Sequence, residues 1–575
     1  MKDVFTKKMF LGFLGPSVIA AFGLALSNIA DSLVIGIHIG ETGLAAIAIT
    51  LPIYMIYAVF YVGIGTGGTI AFSKLLGEGK KDAANSLFNM LMELSIVIGL
   101  IFMTAGIFFT EQVLAFLGTV PADGEVYEVS YSYARLLLFA APVFFLNTPL
   151  YGFIRSDDCQ KLSTIGFVIG NVLDVVMNVV LVIFLNMGVR GAVVSTIIGQ
   201  TVSVLIYVYY FFKKETSVKL RLTKPQFKTI IQALTMGISM SGQYIFQFLF
   251  ILVTNHILLD LSGEPAVAVL DVVFNVSYLG LFLHTAAGEA LQPLASTFFG
   301  EKNLEAQRVV KTLALKFGVV AGSIFLVFIA FLAPVICRVY QINKELGSIA
   351  ILIYCLSGII GGMQIILCYF YQSTGKEKLA FTISLMRNLV LIIPFAYLFA
   401  GFGVKMIWWM FPATELLSLM ILLLIRNLRF FAMNATMVDE KRILNILIVS
   451  NEKEVKIPVD EIEEFCGNWG ANFKQTYYVT MVVEEICGAI VNNAFCNTTD
   501  IYLQITLIAY ESGLFELHIR DNASTFNPFE MQSKTISIED SEEELDGLGV
   551  MMVKKKAKTF YYRRYQGFNT LTVCV

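Results

Sequence analysis

The sequence predicts an all-α membrane protein of twelve transmembrane helices in two pseudo-symmetric six-helix lobes, followed by a cytosolic α/β sandwich domain. Three observations lead to this fold class. Of the 575 residues, 57% are hydrophobic and only 15% are charged, whereas a typical soluble domain is about one quarter charged. Twelve long apolar stretches precede residue 435, and an acidic, less apolar segment follows it. This composition argues against a soluble enzyme, a nucleic-acid-binding protein and a secreted disulfide-rich protein.

Each apolar stretch is long enough to cross a bilayer, whose apolar core of about 30 Å needs about 20 helical residues. The predicted spans cover approximately residues 10–35, 46–73, 87–110, 130–153, 162–186, 191–212, 229–257, 266–296, 312–336, 348–373, 380–401 and 405–428. The first span continues past twenty residues without a small-residue cleavage site. We therefore predict a retained helix rather than a signal peptide.

Basic residues alternate along the connections between these spans. The connection at 213–228 contains six Lys and Arg, and Arg155 and Lys161 lie in another, whereas residues 39–45 and 119–130 contain none. Because basic loops stay in the cytoplasm, both termini are predicted to be cytoplasmic in a multi-pass protein of the cell membrane. The eight cysteines form no CxxC pair, which indicates reduced thiols and no metal site.

An internal repeat defines the domain organisation. The second span ends with Ser73-Lys-Leu-Leu-Gly77 and the eighth with Ser296-Thr-Phe-Phe-Gly300, each before a basic turn. Duplicated helical bundles with a central site are typical of secondary transporters. The predicted units are a six-helix lobe at 1–212, a linker at 213–228, a second lobe at 229–430 and a cytosolic domain at 435–575.

The C-terminal segment has the composition and pattern of a soluble domain. From Ala435 onward there are 21 Asp and Glu against 13 Lys and Arg, a net charge of −8, so the preceding part carries +5 of the total of −3. Alternating and turn patterns predict a sheet and three helices. The predicted strands are 445–450, 455–458, 500–509, 514–520, 559–565 and 569–575, and the helices are 459–469, 472–494 and 545–557.

Ionisable and amide side chains inside predicted spans are expensive and therefore mark candidate sites. In the first lobe we assign the coupling cation to Asp31, Asp174, Asn178 and Thr196. Asp174 and Asn178 are four residues apart and share one helix face. Their oxygens suit sodium, and a carboxyl group with a raised pKa could instead carry a proton. Interhelical hydrogen bonding is the structural alternative.

Polar residues in the eighth span provide candidates for a substrate cavity. We assign His284, Glu289 and Gln292 to the lining of this cavity, since the latter two lie just before a predicted bend at Pro293. Arg387 in the eleventh span is expected near the cytoplasmic end of its helix, with its guanidinium extending to the membrane surface.

The first 430 residues resemble the multidrug and toxic compound extrusion (MATE) transporters. The resemblance rests on Asn28-Ile-Ala-Asp31, Gly43-Leu-Ala-Ala46, Gly63-Ile-Gly-Thr-Gly67, Ile154-Arg-Ser-Asp157, Met187-Gly-Val-Arg-Gly191-Ala192, Gln292-Pro-Leu-Ala-Ser296 and Gly300-Glu-Lys-Asn303. It implies two lobes around a central cavity and export of organic cations driven by a proton or sodium gradient. Asp31 matches the acid of the family's first lobe. In the fifth span, the family's Asn and then Asp are exchanged, as Asp174 and Asn178.

Three motifs of the C-terminal domain resemble the GHKL-type ATPase domains of anti-sigma-factor serine kinases. They are Glu484-Glu485, the segment Asp521-Asn-Ala-Ser-Thr-Phe-Asn-Pro528, and Leu545-Asp-Gly547-Leu-Gly549. A glycine-rich turn that opens a helix suits a phosphate group. The resemblance implies nucleotide binding by Glu485, Asp521, Gly547 and Gly549. However, Ala489 replaces the Asn that binds magnesium in the family, and Ala523 replaces a Gly, so kinase or ATPase activity is not expected and ATP binding is left open.

Together these features predict a cation-coupled antiporter, not an enzyme, that exports drug-like or organic-cation compounds by alternating access. No cofactor is required beyond a coupling proton or sodium ion. The expected partners are small-molecule substrates, the lipid bilayer and a cytosolic regulatory protein at the C-terminal domain, with no nucleic acid. Two alternatives remain: a membrane-anchored sensor and a lipid-linked glycan flippase. The sequence has no GxxxxGK[ST] motif, which excludes an ATP-driven pump with a P-loop.

Overall fold

The computed structural model describes the chain except for residues 1–3, 39, 118, 213–217, 263, 341, 427, 429–439, 451–456, 496–500, 531–545 and 566. For some helical residues, among them 28–33, 271 and 546–548, only the backbone is described. The chain forms two compact units, a helical unit at Phe5–Asn434 and a C-terminal unit at Ala435–Val575. We describe each unit by itself.

Fifteen α-helices are described in the helical unit. Their bounds are α1 Val4–His38, α2 Gly40–Gly77, α3 Lys81–Phe108, α4 Thr110–Phe116, α5 Glu125–Phe139, α6 Ala141–Ile154, α7 Gln160–Asn178, α8 Gly188–Val208, α9 Phe227–Ser262, α10 Glu264–Gly300, α11 Leu304–Val339, α12 Lys344–Ser373, α13 Glu377–Leu385, α14 Ile392–Ala400 and α15 Met410–Ile425. The predicted fourth span thus comprises α5 and α6, which meet at Ala140.

Within the described residues, eleven stretches are long and apolar enough to cross a membrane, and one of them covers residues 141–184. This stretch is interrupted at Asp157 and Asp158, whose backbone angles are not helical; Asp158 has φ of 61°. The break separates α6 from α7, so the predicted twelve-helix, two-lobe fold is confirmed. Wide π-type turns at Val179–Phe184 and Met386–Val390 extend α7 and join α13 to α14.

Apolar cores lie within each lobe. One first-lobe cluster centres on Phe72, Phe88 and Phe153, and a second-lobe cluster centres on Phe250, Trp408 and Phe411. Glycines allow the lobes to approach at the predicted cytoplasmic ends of α2 and α10. A Cβ atom on Gly77 would overlap the Thr297 carbonyl, and one on Gly300 would overlap the Lys74 carbonyl. The repeated Gly of each lobe therefore packs against the other lobe in a reciprocal contact.

In the part of the chain that the structure describes, the C-terminal unit has a five-stranded antiparallel sheet and three α-helices. Strands β1 Ile443–Ser450, β2 Ile501–Ala509, β3 Phe515–Asp521, β4 Thr559–Tyr565 and β5 Phe568–Cys574 lie in the order β1-β2-β3-β5-β4. Helices α16 Val459–Asn468, α17 Phe473–Ala494 and α18 Asp546–Lys556 contribute apolar side chains to one core with the sheet. This α/β architecture is the predicted one. Of the strand expected at 455–458, residues 455 and 456 lie outside the described residues, and Ile457 and Pro458 are not part of a strand.

Candidate functional site

The first-lobe candidate site lies where α7 and α8 pack in antiparallel fashion. A Cβ atom built on Gly199 would lie 2.5 Å from the Gly170 carbonyl oxygen and 3.0 Å from the Cβ atom of Asp174. Ser203 donates a hydrogen bond of 2.9 Å to the carbonyl of Gly166, one turn further along. The two glycines therefore bring the helix backbones together at the level of Asp174, which is 6% exposed.

The helix register decides which α8 residue faces the acid. Because Ser203 lies opposite Gly166 and Gly199 opposite Gly170, the next turn places Ser195 opposite Asp174. Ser195 and Asn178 are both buried. Thr196 is only half-buried, and its hydroxyl donates to the carbonyl of Ala192 in its own helix at 3.2 Å. The Ser195 hydroxyl donates to the same carbonyl at 2.7 Å. The helix register, and not hydrogen bonding, therefore places Ser195 on the contact face and Thr196 beside it.

A neighbouring amide pair, Asn147 and Gln200, was missed at the sequence level. The Asn147 amide nitrogen in α6 donates to the Gln200 side-chain oxygen in α8. Gln200 is one helical turn after Thr196, so the two residues share a face of α8. This i, i+4 spacing was the available signal.

Asp31 lies in α1, but its side chain is outside the described residues. The backbone still fixes its level in the lobe, because a Cβ atom built on Gly23 of α1 would lie 3.8 Å from the Val168 side chain of α7. With a rise of about 1.5 Å per residue, Asp31 lies roughly 12 Å beyond this contact along α1. Asp174 and Asn178 lie about 9 and 15 Å beyond it along α7, so the helix carrying Asp31 reaches the same level.

Glu289 and Gln292 lie where α10 of the second lobe meets the first lobe. Arg155, at the end of α6, donates to the Glu289 carboxylate at 2.9 Å. Gln292 donates from its side-chain amide to the backbone carbonyl of Thr66 at 3.2 Å. We call these two contacts, with the reciprocal glycine contact of α2 and α10, the inter-lobe seam.

Arg155 is the central residue of the seam and was not predicted as a site residue. Its guanidinium also donates to the hydroxyls of Ser17 and of Tyr151, the latter at 3.0 Å, and it lies 5.9 Å from the ring centre of Phe13. Arg155 is 5% exposed. Ser17 and Tyr151 belong to the first lobe, so among the hydrogen bonds of Arg155 in the described residues the one to Glu289 crosses between the lobes.

His284 lies inside the second lobe, among α10, α11 and α12. Its Nδ1 atom is 3.0 Å from the carbonyl oxygen of Gly280, and the ring is 2% exposed. Cβ atoms at Gly322 and Gly362 would approach or overlap the imidazole. The three residues assigned to one cavity therefore separate: His284 contacts its own lobe, whereas Glu289 and Gln292 contact the first lobe.

The expectation that Arg387 reaches the membrane surface is wrong. Its Nε and Nη2 atoms each donate at 2.7 Å to the two carboxylate oxygens of Glu415, and the residue is 9% exposed. Gln364 donates to the same carboxylate at 2.8 Å. Gly361 of α12 leaves room for this pair, because a Cβ atom there would lie within 3.0 Å of both side chains. Burying a guanidinium is tolerable here because a carboxylate neutralises it.

In the C-terminal unit, Asp521 ends β3 and is fully buried. One of its carboxylate oxygens accepts from the Ala523 amide at 2.9 Å and from Asn569 at 2.7 Å. The Asn569 oxygen in turn accepts from Tyr562 and Arg564, both at 2.9 Å. Burial raises the pKa of Asp521 from 3.8 to about 6, against the opposing effect of these hydrogen bonds. Asp521 is thus the first member of an internal polar network.

The Glu485 carboxyl group packs directly on Gly549 in the first turn of α18. A Cβ atom on Gly549 would overlap the carboxyl group, so a larger residue here would require the Glu485 side chain to move. Gly547 precedes it, and its surroundings lie outside the described residues. Ala489, one turn after Glu485, is 2% exposed within the apolar core and offers no oxygen to a magnesium ion. Among the described residues, no cluster of His, Cys, Asp or Glu could hold a metal.

Comparisons with known proteins agree with this architecture. Multidrug export protein MepA of Staphylococcus aureus (strain MRSA252) is 24% identical over 429 residues, which cover 73% of this chain and 94% of the relative. MepA of Staphylococcus saprophyticus is 23% identical over 431 residues, with the same coverage. An outward-facing structure of a multidrug resistance MATE family transporter of the MOP superfamily superposes with a TM-score of 0.69 at 22% identity, over 73% of this chain and 94% of that one.

A transporter of the MOP superfamily from Pyrococcus furiosus gives the same TM-score at 21% identity, over 75% of this chain and 97% of that one. The histidine kinase-like ATPase domain model matches residues 449–575. The MatE family model matches residues 16–180 and 235–398, one range in each lobe and together more than half of the chain. The chain therefore belongs to the MatE (MATE) family of transporters, and a histidine kinase-like ATPase domain follows its membrane body.

Proposed function

We propose that the chain is a cation-coupled antiporter that exports drug-like or organic-cation compounds by alternating access, under the control of its C-terminal domain. The observation that carries the proposal is Asp174, a buried carboxylate at the close contact of α7 and α8, with Asn178 one turn away on the same face. An acid at such a depth is costly unless it serves ion movement or is fully paired. The MepA relatives, which are named multidrug export proteins, agree with a drug-like substrate.

The coupling ion in this proposal is a proton or sodium. Carboxylate, amide and hydroxyl oxygens from Asp174, Asn178 and Ser195 match the ligands that hard cations prefer. A proton is equally suitable, because a buried carboxyl group can alternate between neutral and charged forms. Uptake of either ion at this contact neutralises the acid, which alters the packing of α7 on α8 and thereby biases the first lobe.

The inter-lobe seam supports alternating access in this proposal. A buried ion pair and two close glycine contacts hold the lobes together at the predicted cytoplasmic side. Opening that side requires these contacts to separate, and each of them joins two rigidly packed lobes. The cycle then alternates between this closed seam and a state in which Arg155 and Glu289 are apart.

The test is export of a fluorescent organic cation from proteoliposomes under separate proton and sodium gradients. One gradient should drive export in the unaltered protein, and Asp174→Asn should lower gradient-driven export at least tenfold. The matched control is Asn171→Ala in the same helix, because the Asn171 amide bonds only its own helix at 2.8 Å among the contacts described. Equal gradient-driven export by Asp174→Asn and the unaltered protein would refute the role of Asp174.

The C-terminal domain is proposed as a regulatory or docking domain without kinase activity. The fit of a magnesium nucleotide is poor, since Ala489 supplies no metal ligand and the Glu485 carboxyl group lies on the first turn of α18, where phosphates would lie. Export should survive deletion of residues after Asn434, whereas a sensor that signals through this domain would lose its output. Titration of the intact protein with ATP should show no increase in affinity when magnesium is added.

A further inference from the structure

The linker between the lobes binds along α3 as an extended strap, which we define as Val218–Gln226. Three side chains of α3 accept hydrogen bonds from alternate backbone amides of the strap. The bonds are Lys219 to Asn85 at 2.8 Å, Arg221 to Asn89 at 3.1 Å and Thr223 to Glu93 at 2.9 Å. Asn89 also donates to the Lys219 carbonyl at 2.9 Å. The strap is therefore bound through its backbone, in a fixed register.

These three hydrogen bonds form a regular ladder because the repeat distance of the helix α3 matches that of the extended strap. Residues four apart on a helix are about 6.0 Å apart along its axis, and residues two apart on an extended strand are about 6.6 Å apart. The next rung would pair Val97 with Pro225, neither of which can continue the ladder, since valine has no acceptor and proline has no amide hydrogen. The helix α9 begins at Phe227, two residues after Pro225, so the strap leads directly into this helix without an intervening loop.

The start of α9 is packed in the core of the first lobe. Val218 of the strap and Ile230 and Ala233 of α9 belong to the same buried cluster as Phe72 and Phe153. A Cβ atom on Gly67 of α2 would overlap the Ala233 carbonyl. The other end of α9 is different, because Phe250, Ile257 and Leu258 belong to the second-lobe core. Thus one helix is shared between the two lobes.

The change of partner occurs between Met236 and Gly242. Here second-lobe side chains bond to α9 backbone carbonyls: Gln372 donates to Met236 at 2.6 Å and Ser384 donates to Ser239 at 3.1 Å. The intervening sequence, Gly237-Ile-Ser-Met-Ser-Gly242, is rich in small residues. Added hydrogen bonds to helix carbonyls and Gly/Ser positions are recognised causes of helix bending.

We propose that the strap and the first turns of α9 stay with the first lobe throughout transport, and that α9 bends between Met236 and Gly242 when the lobes move. This inference rests on the alternating access proposed above. It divides the chain inside α9, whereas the sequence places the boundary in the linker. It also assigns the cytoplasmic opening to the seam, where α10 leaves α2, and not to the start of α9.

Cross-linking tests the inference in a variant without reactive cysteines. Asn89→Cys with Arg221→Cys joins the strap to α3, and the matched control Ser73→Cys with Thr297→Cys joins α2 to α10 across the seam, where the Thr297 hydroxyl lies 3.5 Å from the Ser73 carbonyl. With the strap cross-linked, export should stay within about twofold of the reduced protein. With the seam cross-linked, it should fall more than tenfold and recover on reduction. A reversible loss of more than tenfold in the strap pair would overturn the proposal.

A distance measurement provides a readout that does not depend on export, and so separates failure of this inference from failure of the proposed function. Spin labels at Leu222, which is 97% exposed, and at Ile101 of α3, 62% exposed, report strap against first lobe. Labels at Leu222 and at Phe328 of α11, 60% exposed, report strap against second lobe. Across pH 5–8, with and without an organic cation, the first distance should keep one value while the second changes. A shift in the first distance would contradict the permanent tether.

Discussion

Removing the Glu289 charge should open the inter-lobe seam without disturbing either lobe. In Glu289→Gln, the Arg155 guanidinium keeps its bonds to Ser17 and Tyr151, which belong to the first lobe. What weakens is the charged bond of 2.9 Å that crosses between the lobes. The closed seam therefore loses stability relative to the open one, since Arg155 can be solvated only when the lobes separate.

The size of the effect follows from the burial of the pair. The side chains of Arg155 and Glu289 are 6% and 31% exposed. Fully buried pairs lose about 3–5 kcal/mol when one partner is removed, and exposed pairs contribute about 0.2–1 kcal/mol. Because nearly a third of the Glu289 side chain contacts solvent, we expect a loss of about 2 kcal/mol. This corresponds to a shift of roughly 30-fold toward the open seam.

The assay is the rate at which a membrane-impermeant thiol reagent modifies Thr297→Cys, which is buried in the closed seam. In the Glu289→Gln background this rate should rise about 30-fold, because modification follows the population of the open state. The control is Glu78→Gln, which removes the ion pair of Glu78 with Lys80 near the same helix end; the Lys80 side chain is 62% exposed, so the rate should stay unchanged. Equal rates with and without Glu289→Gln would refute the assignment of Arg155 and Glu289 as a closing contact.

Three further predictions concern stability. Glu415→Gln leaves the buried Arg387 without its counter-ion and should lower the free energy of unfolding by about 3–5 kcal/mol, seen as a lower unfolding temperature in detergent. The double variant Arg387→Met, Glu415→Leu should recover most of this loss. Gly549→Ala should destabilise the C-terminal domain, as measured by fluorescence of its single tryptophan, and Glu485→Ala should partly restore it by removing the overlap. Because burial raises the pKa of Asp521 to about 6, the folded domain binds this proton more tightly than the unfolded chain. The stabilisation that this proton contributes should be fully present below about pH 4 and be lost, by about 3 kcal/mol in all, as the pH rises through about 6, and Asp521→Asn should remove this slope.

Much of the fold could be predicted from the sequence because membrane spans depend on length and hydropathy alone. What the sequence left open were local backbone events. The break at Ala140 that divides the fourth span occurs inside an apolar run, and its local signal is Pro142 in the first turn of α6, which the span prediction did not use. The turn at Asp157 and Asp158 lies between the basic residues Arg155 and Lys161. The alternation of basic connections placed this turn correctly between the fourth and fifth spans.

The site was less predictable because side-chain partners depend on helix rotation and register. Asp174 and Asn178 share a helix face by spacing, yet whether Ser195 or Thr196 faces them depends on the contact of Gly170 with Gly199. Adjacent residues of a helix differ by about 100° in direction, and sequence spacing cannot resolve this without a partner helix.

Arg387 illustrates the same limit for charges. Its partner Glu415 lies in another helix, and the pair forms beside Gly361 of a third helix. The sequence shows an isolated base in an apolar span, for which an extended position at the membrane surface is the reasonable expectation. Only the packing of three helices reveals that a carboxylate neutralises it.

Among the described residues of the membrane body, the ion pairs formed by the buried Arg155 and Arg387 differ in the way that alternating access demands. The Arg387–Glu415 pair lies within one lobe, makes two bonds of 2.7 Å, and receives a further bond from Gln364. Such a pair resists separation and keeps the second lobe rigid. The Arg155–Glu289 pair spans two lobes through one bond, and its carboxylate side is twice as exposed, at 31% against 15%. Water can therefore reach Glu289 as the lobes part, which lowers the barrier to separating the charges. A body whose charges are strongly paired within a lobe and weakly paired between lobes can move as two units, and the shared helix α9 is where that motion has to be absorbed.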